Sequence, residues 1–179
     1  MSYIILAILF MLSGFFMKYS DDLFDENHNI VLASVFGIVC GVASAVASIG
    51  DVGAAYLFIA IIIGNLIAFK IDGIHHIITL IVFIVICLSA GIPDLNLVIL
   101  LICVVAALSD EIGHETIHKV SQNRFLNNFF EYRFVMKIVI LLLAVYGIFN
   151  IWVFVCFILF EISYEFAGIV FKKLSIKNS

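Results

Sequence analysis

Read for hydropathy alone, the chain is a series of long apolar runs broken by short polar segments. The runs lie near 2–17, 30–49, 52–70, 75–92, 95–110, 132–150 and 151–171. Stretches such as IVLASVFGIVCGVA and VILLICVVAA lack the period-two alternation that a membrane β-barrel needs. A helix crosses hydrocarbon with about 20 apolar residues and satisfies its backbone groups internally. The pattern therefore predicts an all-α, polytopic membrane bundle of about seven transmembrane helices, in a single domain over 1–179. Short turns are expected around Gly50-Asp51, Pro93-Asp94 and Asn150. The opening MSYIILAILFMLSGFFMK has neither a basic n-region nor a small-residue cleavage pattern, so it reads as a retained first span.

Composition agrees with that pattern. The hydrophobic fraction is 65%, the charged fraction 12% and the mean hydropathy +1.26, all outside the range of soluble domains. Seven spans in 179 residues leave no room for a soluble domain beside them. Charge then adds direction. All 9 Lys and Arg residues lie at or near alternate ends of the runs: Lys18, Lys70, Lys119, Arg124, Arg133, Lys137, Lys172, Lys173 and Lys177. Positive charge in short loops marks the cytoplasmic side. The first span is thus expected to enter from outside and the tail KKLSIKNS to lie inside, in a multi-pass protein of the cell membrane. Every His, and every Asp and Glu except Asp51 and Asp94, falls on the same cytoplasmic side.

The four cysteines, Cys40, Cys87, Cys103 and Cys156, each sit in an apolar run without a CxxC pair, so they read as packing residues. No basic stripe suggests nucleic acid. Small residues at Ser34, Gly37, Gly41, Ala45 and Ser48 mark a face of the second span that lets another helix approach closely, most simply inside the bundle.

The candidate chemistry lies in the cytoplasmic loops. The first contains Asp21, Asp22, Asp25, Glu26, His28 and Asn29. If the helix continues past the membrane, Asp21 and Asp25 share a face, as do Asp22, Asp25 and Asn29. Carboxylates so placed repel unless a cation offsets them, and hard oxygen ligands suit Mg²⁺. The third loop carries Asp110, His114 and His118 at i, i+4 and i+8, with Glu111 and Glu115 forming a second row beside them. Lys70, Asp72, His75 and His76 lie in the loop between. Bland loops explain one such cluster easily and three with more difficulty.

The paired loops resemble the UbiA superfamily of membrane prenyltransferases, whose two cytoplasmic motifs read broadly N-D-x-x-D-x-x-x-D and D-x-x-x-D-x-x-x-D. Asp21-Asp22-x-x-Asp25-x-x-x-Asn29 is similar to the first, and Asp110-x-x-x-His114-x-x-x-His118 to the second. Lys70 falls in the middle loop, where that family places a basic residue near the diphosphate. The resemblance implies a transferase acting on a prenyl (lipid) diphosphate drawn from the membrane lipids. Asp21, Asp22, Asp25, Asp110, His114 and His118 would be its metal ligands. Asp22, Asp25, Asp110 and Lys70 would be catalytic, and Lys70, Lys119 and Arg124 would bind diphosphate. Mg²⁺ is the implied ion, with Mn²⁺ or Zn²⁺ admitted because imidazole suits them better.

Two other classes remain open. His114-Glu115-Thr-Ile-His118 matches the HExxH pattern of zinc metalloproteases, although no later Asp supplies their further ligand. A proton- or metal-coupled transporter would use Glu161 and Glu165, intramembrane carboxylates in the last run. Glu165 is expected to pair with Lys137, leaving Glu161 to Asn65. The orientation is tested with single cysteines in a background free of the native four. One beside Asp94 should react with an impermeant thiol reagent from outside, and one beside Asp72 only from inside. The reverse pattern would overturn it.

Overall fold

The computed structural model describes residues 1–120 and 122–178, apart from the side chains of 118, 120 and 176–178. The side chain of His118, one of the expected ligands, thus lies outside the described residues. These residues are almost all helical: α1 (Tyr3–Asp25), α2 (Ile30–Gly50), α3 (Val52–Ile67), α4 (Ile74–Ala90), α5 (Leu97–Val120), α6 (Arg124–Glu131), α7 (Phe134–Val145) and α8 (Ile151–Asn178). Four of them, α1, α2, α5 and α8, are long and apolar enough to cross a membrane. The helices α3, α4 and α7 are shorter, at 16, 17 and 12 residues.

Two elements differ from the sequence pattern. The apolar run over 132–150 forms a helix only over Phe134–Val145, because the chain turns at Tyr146 and Gly147. There the amide of Ile148 donates back to the carbonyl of Leu143 at 2.9 Å, closing the helix end. At 1.5 Å per residue α7 is about 18 Å long, well short of a hydrocarbon core of about 30 Å. The helix α5 instead runs past its apolar stretch to Val120, carrying Glu111 and His114 beyond the run expected to end at 110. The short α6 follows, started by the Asn123 side chain, which accepts from the amide of Phe125 at 2.9 Å.

Residues from the end of α1, the α3–α4 connection, the second half of α5, the start of α7 and the middle of α8 line one cavity, which marks the polar end of the bundle. Around it α1 packs on α2 and α8, α2 on α3, α3 on α5, α5 on α7, and α7 on α8, which closes a ring. The helix α4 packs against α2. That contact uses the small-residue face: a Cβ on Gly41 would stand 2.8 Å from the Thr79 carbonyl oxygen, and one on Gly37 3.1 Å from that of His75. Ala45 and Ser48 on the same face are fully buried, so the stripe serves internal packing. One turn before Gly37, the Ser20 hydroxyl of α1 donates to the Ala33 carbonyl at 2.7 Å. The four cysteines are free thiols, three of them buried.

Candidate functional site

A cavity of about 470 Å³ occupies the polar half of the bundle, with walls from every helix except α6. Towards the polar end it is lined by Asp21, Asp25, Lys70, His75, His76, Asp110, Glu111, His114, Arg133 and Tyr164. Phe58, Phe83, Phe157 and Phe160, one to three turns further along their helices, also line it with Leu80 and Met136, and Asn65, Thr79 and Glu161 stand among them. The two acidic segments and the middle loop thus meet at one site.

Local folding sets each group in place. The helix α3 ends with Phe69 in the left-handed region (φ 57°), and the amide of Lys70 donates back to the Asn65 carbonyl at 2.9 Å. This closure turns Lys70 onto α5, where it pairs with Glu111 at 3.7 Å and bonds Glu115. The Glu115 carboxylate holds the Lys70 ammonium above its ordinary pKa, outweighing partial burial and the neighbouring Arg133. Arg133, immediately before α7, also adopts the left-handed region (φ 47°, ψ 55°). For a residue with a Cβ that conformation costs roughly 1–2 kcal/mol. It places the guanidinium 3.2 Å from Glu111 and over the ring of Tyr164, 5.7 Å from its centroid. Strain of this kind persists where surrounding contacts fix the residue, and it gathers at functional sites.

Asp110 is committed elsewhere. Its two carboxylate oxygens accept from the amides of Val135 and Met136 at 2.9 and 2.7 Å, capping the first turn of α7. Asp22 pairs with Lys18 at 2.9 Å and is not among the cavity-lining residues. Lys119 and Arg124 are exposed and also line no part of the cavity. His114 lines it, with Nδ1 3.8 Å from Glu131. Lys137 pairs with Glu161 at 3.2 Å, whereas the expected partner, Glu165, is exposed. Glu161 shares the inward row of Phe157, Phe160 and Tyr164, and Glu165 lies one turn beyond, at the edge of that row.

Among the described residues, one group of His, Cys, Asp and Glu side chains approaches metal-ligand geometry: Asp21, His75 and His76, with ligand atoms within 4.8 Å of one another. Among the described residues, Asp22 and Asp110 of the set implied for Mg²⁺ are held by Lys18 and by the α7 amides. The sequence places Glu111, His75 and His76 in the candidate loops without giving them a role, and it does not point to Arg133 or Tyr164 as site residues. The adjacent histidines just after Lys70-Ile-Asp72, and the basic residue opening the sixth run, were the available signals. Compared with family models, curated proteins and solved structures, the chain matches none.

The cap role of Asp110 is open to a direct test. Asp110→Ala should destabilise the detergent-solubilised protein by about 1–3 kcal/mol, the cost of leaving buried amides unpaired. Asp110→Asn, which keeps one acceptor oxygen, should lose less. Unfolding of the alanine variant at the parent midpoint would contradict the cap.

Proposed function

We propose that the chain is a multi-pass membrane enzyme that acts on a prenyl diphosphate, resembling the UbiA superfamily in the placement of its two acidic segments. In this reading seven segments cross the membrane, the sixth being the short α7 together with the apolar turn over 146–150, the N-terminus lies outside, and the polar end of the cavity faces the cytoplasm. The observation that carries it is one cavity in which most ionic side chains gather towards one end and four phenylalanines lie further in, with Glu161 between. That arrangement matches an amphiphile with a doubly charged head and an unsaturated hydrocarbon tail.

Lys70 and Arg133 are the cations beside the cavity that Glu111 holds in common, at 3.7 and 3.2 Å. A diphosphate arriving there would take over donors already aimed at one carboxylate. Arg133 offers the planar fork that matches two phosphate oxygens, and Lys70 a point charge. When the allylic C–O bond breaks, the diphosphate leaves with the electron pair, and these cations stabilise the charge that builds on it. The carbon left behind is an allylic cation. The faces of Phe58, Phe83, Phe157 and Phe160 lie on the side where the tail would run, and aromatic faces attract such charge. An acceptor nucleophile then forms the new bond to carbon and gives up its proton.

The test is release of diphosphate from geranylgeranyl diphosphate by the protein in nanodiscs supplied with a membrane lipid extract. Arg133→Lys keeps the charge but loses the fork, and should slow release by about 100-fold or more. Glu165→Gln, at an exposed site outside the cavity, should leave it unchanged. Release that is unaffected by Arg133→Lys would overturn the assignment. Peptide hydrolysis that vanishes with Glu115→Ala would replace it with the protease reading.

A further inference from the structure

In the same cavity as the two cations, three side chains from α1 and α4 converge on one point. The Nε2 atom of His75 lies 3.3 Å from Oδ1 of Asp21, and that of His76 lies 3.7 Å from the same oxygen. The two imidazole rings are 3.9 Å apart at their centroids. Consecutive residues of a helix point about 100° apart, so both rings must turn to meet one carboxylate. His75 is only 2% exposed, and its Nδ1 has no hydrogen-bond partner among the described residues. A buried ring nitrogen left unpaired is costly. That nitrogen lies beside Gly73, so the case for a ligand rests on the two Nε2 atoms that meet the Asp21 oxygen.

We infer that Asp21, His75 and His76 hold a divalent transition-metal ion of the Zn²⁺ class, and not Mg²⁺. Two bonds of about 2.1 Å at a tetrahedral angle set their ligand atoms roughly 3.4 Å apart, which falls between the two separations seen here. Imidazole with carboxylate selects Zn²⁺, Mn²⁺, Fe²⁺ or Co²⁺, whereas Mg²⁺ demands oxygen donors in near-octahedral array. All three side chains line the cavity, as do Asp25 and Asp72, which add negative charge around the site. Three protein ligands leave a coordination position open to the cavity, the arrangement of a catalytic site rather than a closed structural one. The backbone contact at Gly37 is what makes this possible, since it brings the first turn of α4, with His75, against α2 and beside α1.

The role of the ion, receiving a phosphate oxygen of the substrate, rests on the prenyl diphosphate reading; its binding does not. The full-length protein in detergent is stripped with a chelator and titrated with Co²⁺ and Zn²⁺. One equivalent of Co²⁺ should give the intense visible bands of a four- or five-coordinate ion, and Zn²⁺ should displace it while excess Mg²⁺ does not. His76→Ala and Asp21→Ala should each weaken Zn²⁺ binding by more than the 10–100-fold typical of losing an outer-shell partner, roughly 100-fold or beyond. His28→Ala, in the exposed α1–α2 loop, should bind as the parent does.

A weakly absorbing octahedral Co²⁺ spectrum in the unsubstituted protein would overturn the site, and so would Zn²⁺ binding that survives His76→Ala. The spectrum alone decides the matter if the variants fail to fold. Metal binding without diphosphate release would leave the site standing and remove the proposed reaction. Release without metal binding would do the reverse.

Discussion

Ionisable groups set among apolar helices must be neutralised by one another or by backbone dipoles, and that requirement organises the polar half of this bundle. Lys18 meets Asp22, Lys137 meets Glu161, and Glu111 is shared by Lys70 and Arg133. Asp110 faces the free amides of α7, where the positive end of the helix dipole favours a carboxylate. Removing one partner from such a pair leaves an uncompensated charge that costs more than the pair itself contributes. The cavity is therefore held open by contacts that cannot be lost singly. The same contacts place three cations, Lys18, Lys70 and Arg133, and an imidazole–carboxylate group around one volume.

Packing supplies the other half of the account. The glycines of α2 let α4 approach to backbone contact, and without that approach His75 and His76 would stand away from α1. Arg133 holds a left-handed backbone before α7 and directs its guanidinium back over Tyr164 and onto Glu111. Phe69, also left-handed, closes α3 so that Lys70 leads onto α5. Two strained residues thus deliver two of those cations.

The helices themselves were largely legible in the sequence, because apolar runs and their polar breaks reveal membrane-type helices with little help from tertiary context. α2 runs over Ile30–Gly50, almost as its hydropathy predicts, and the polar residues expected on one side do gather at one end. The early stop of α7 was hidden, since Tyr146, Gly147 and Ile148 continue an apolar run and only the turn geometry interrupts it. The facing of individual carboxylates was hidden for a different reason. A helix apolar all round carries no periodicity to fix which side looks inward. The row of Asp110 and His114 was expected to hold the ligands, yet Asp110 serves α7, and the neighbouring row of Glu111 and Glu115 meets Lys70. Asp21 and Asp22 divide in the same way, one onto the histidines and the other onto Lys18.

The central claim is that segments far apart in sequence share one cavity, and short-range thiol cross-linking tests it most directly. In a background without native cysteines, paired cysteines at positions 21 and 76, and at 70 and 115, would be treated with a short bis-thiol reagent in membranes. Both pairs should cross-link within the monomer, and a cysteine at 119 should cross-link to neither 21 nor 76. Failure of both pairs to cross-link in folded, inserted protein would contradict the account.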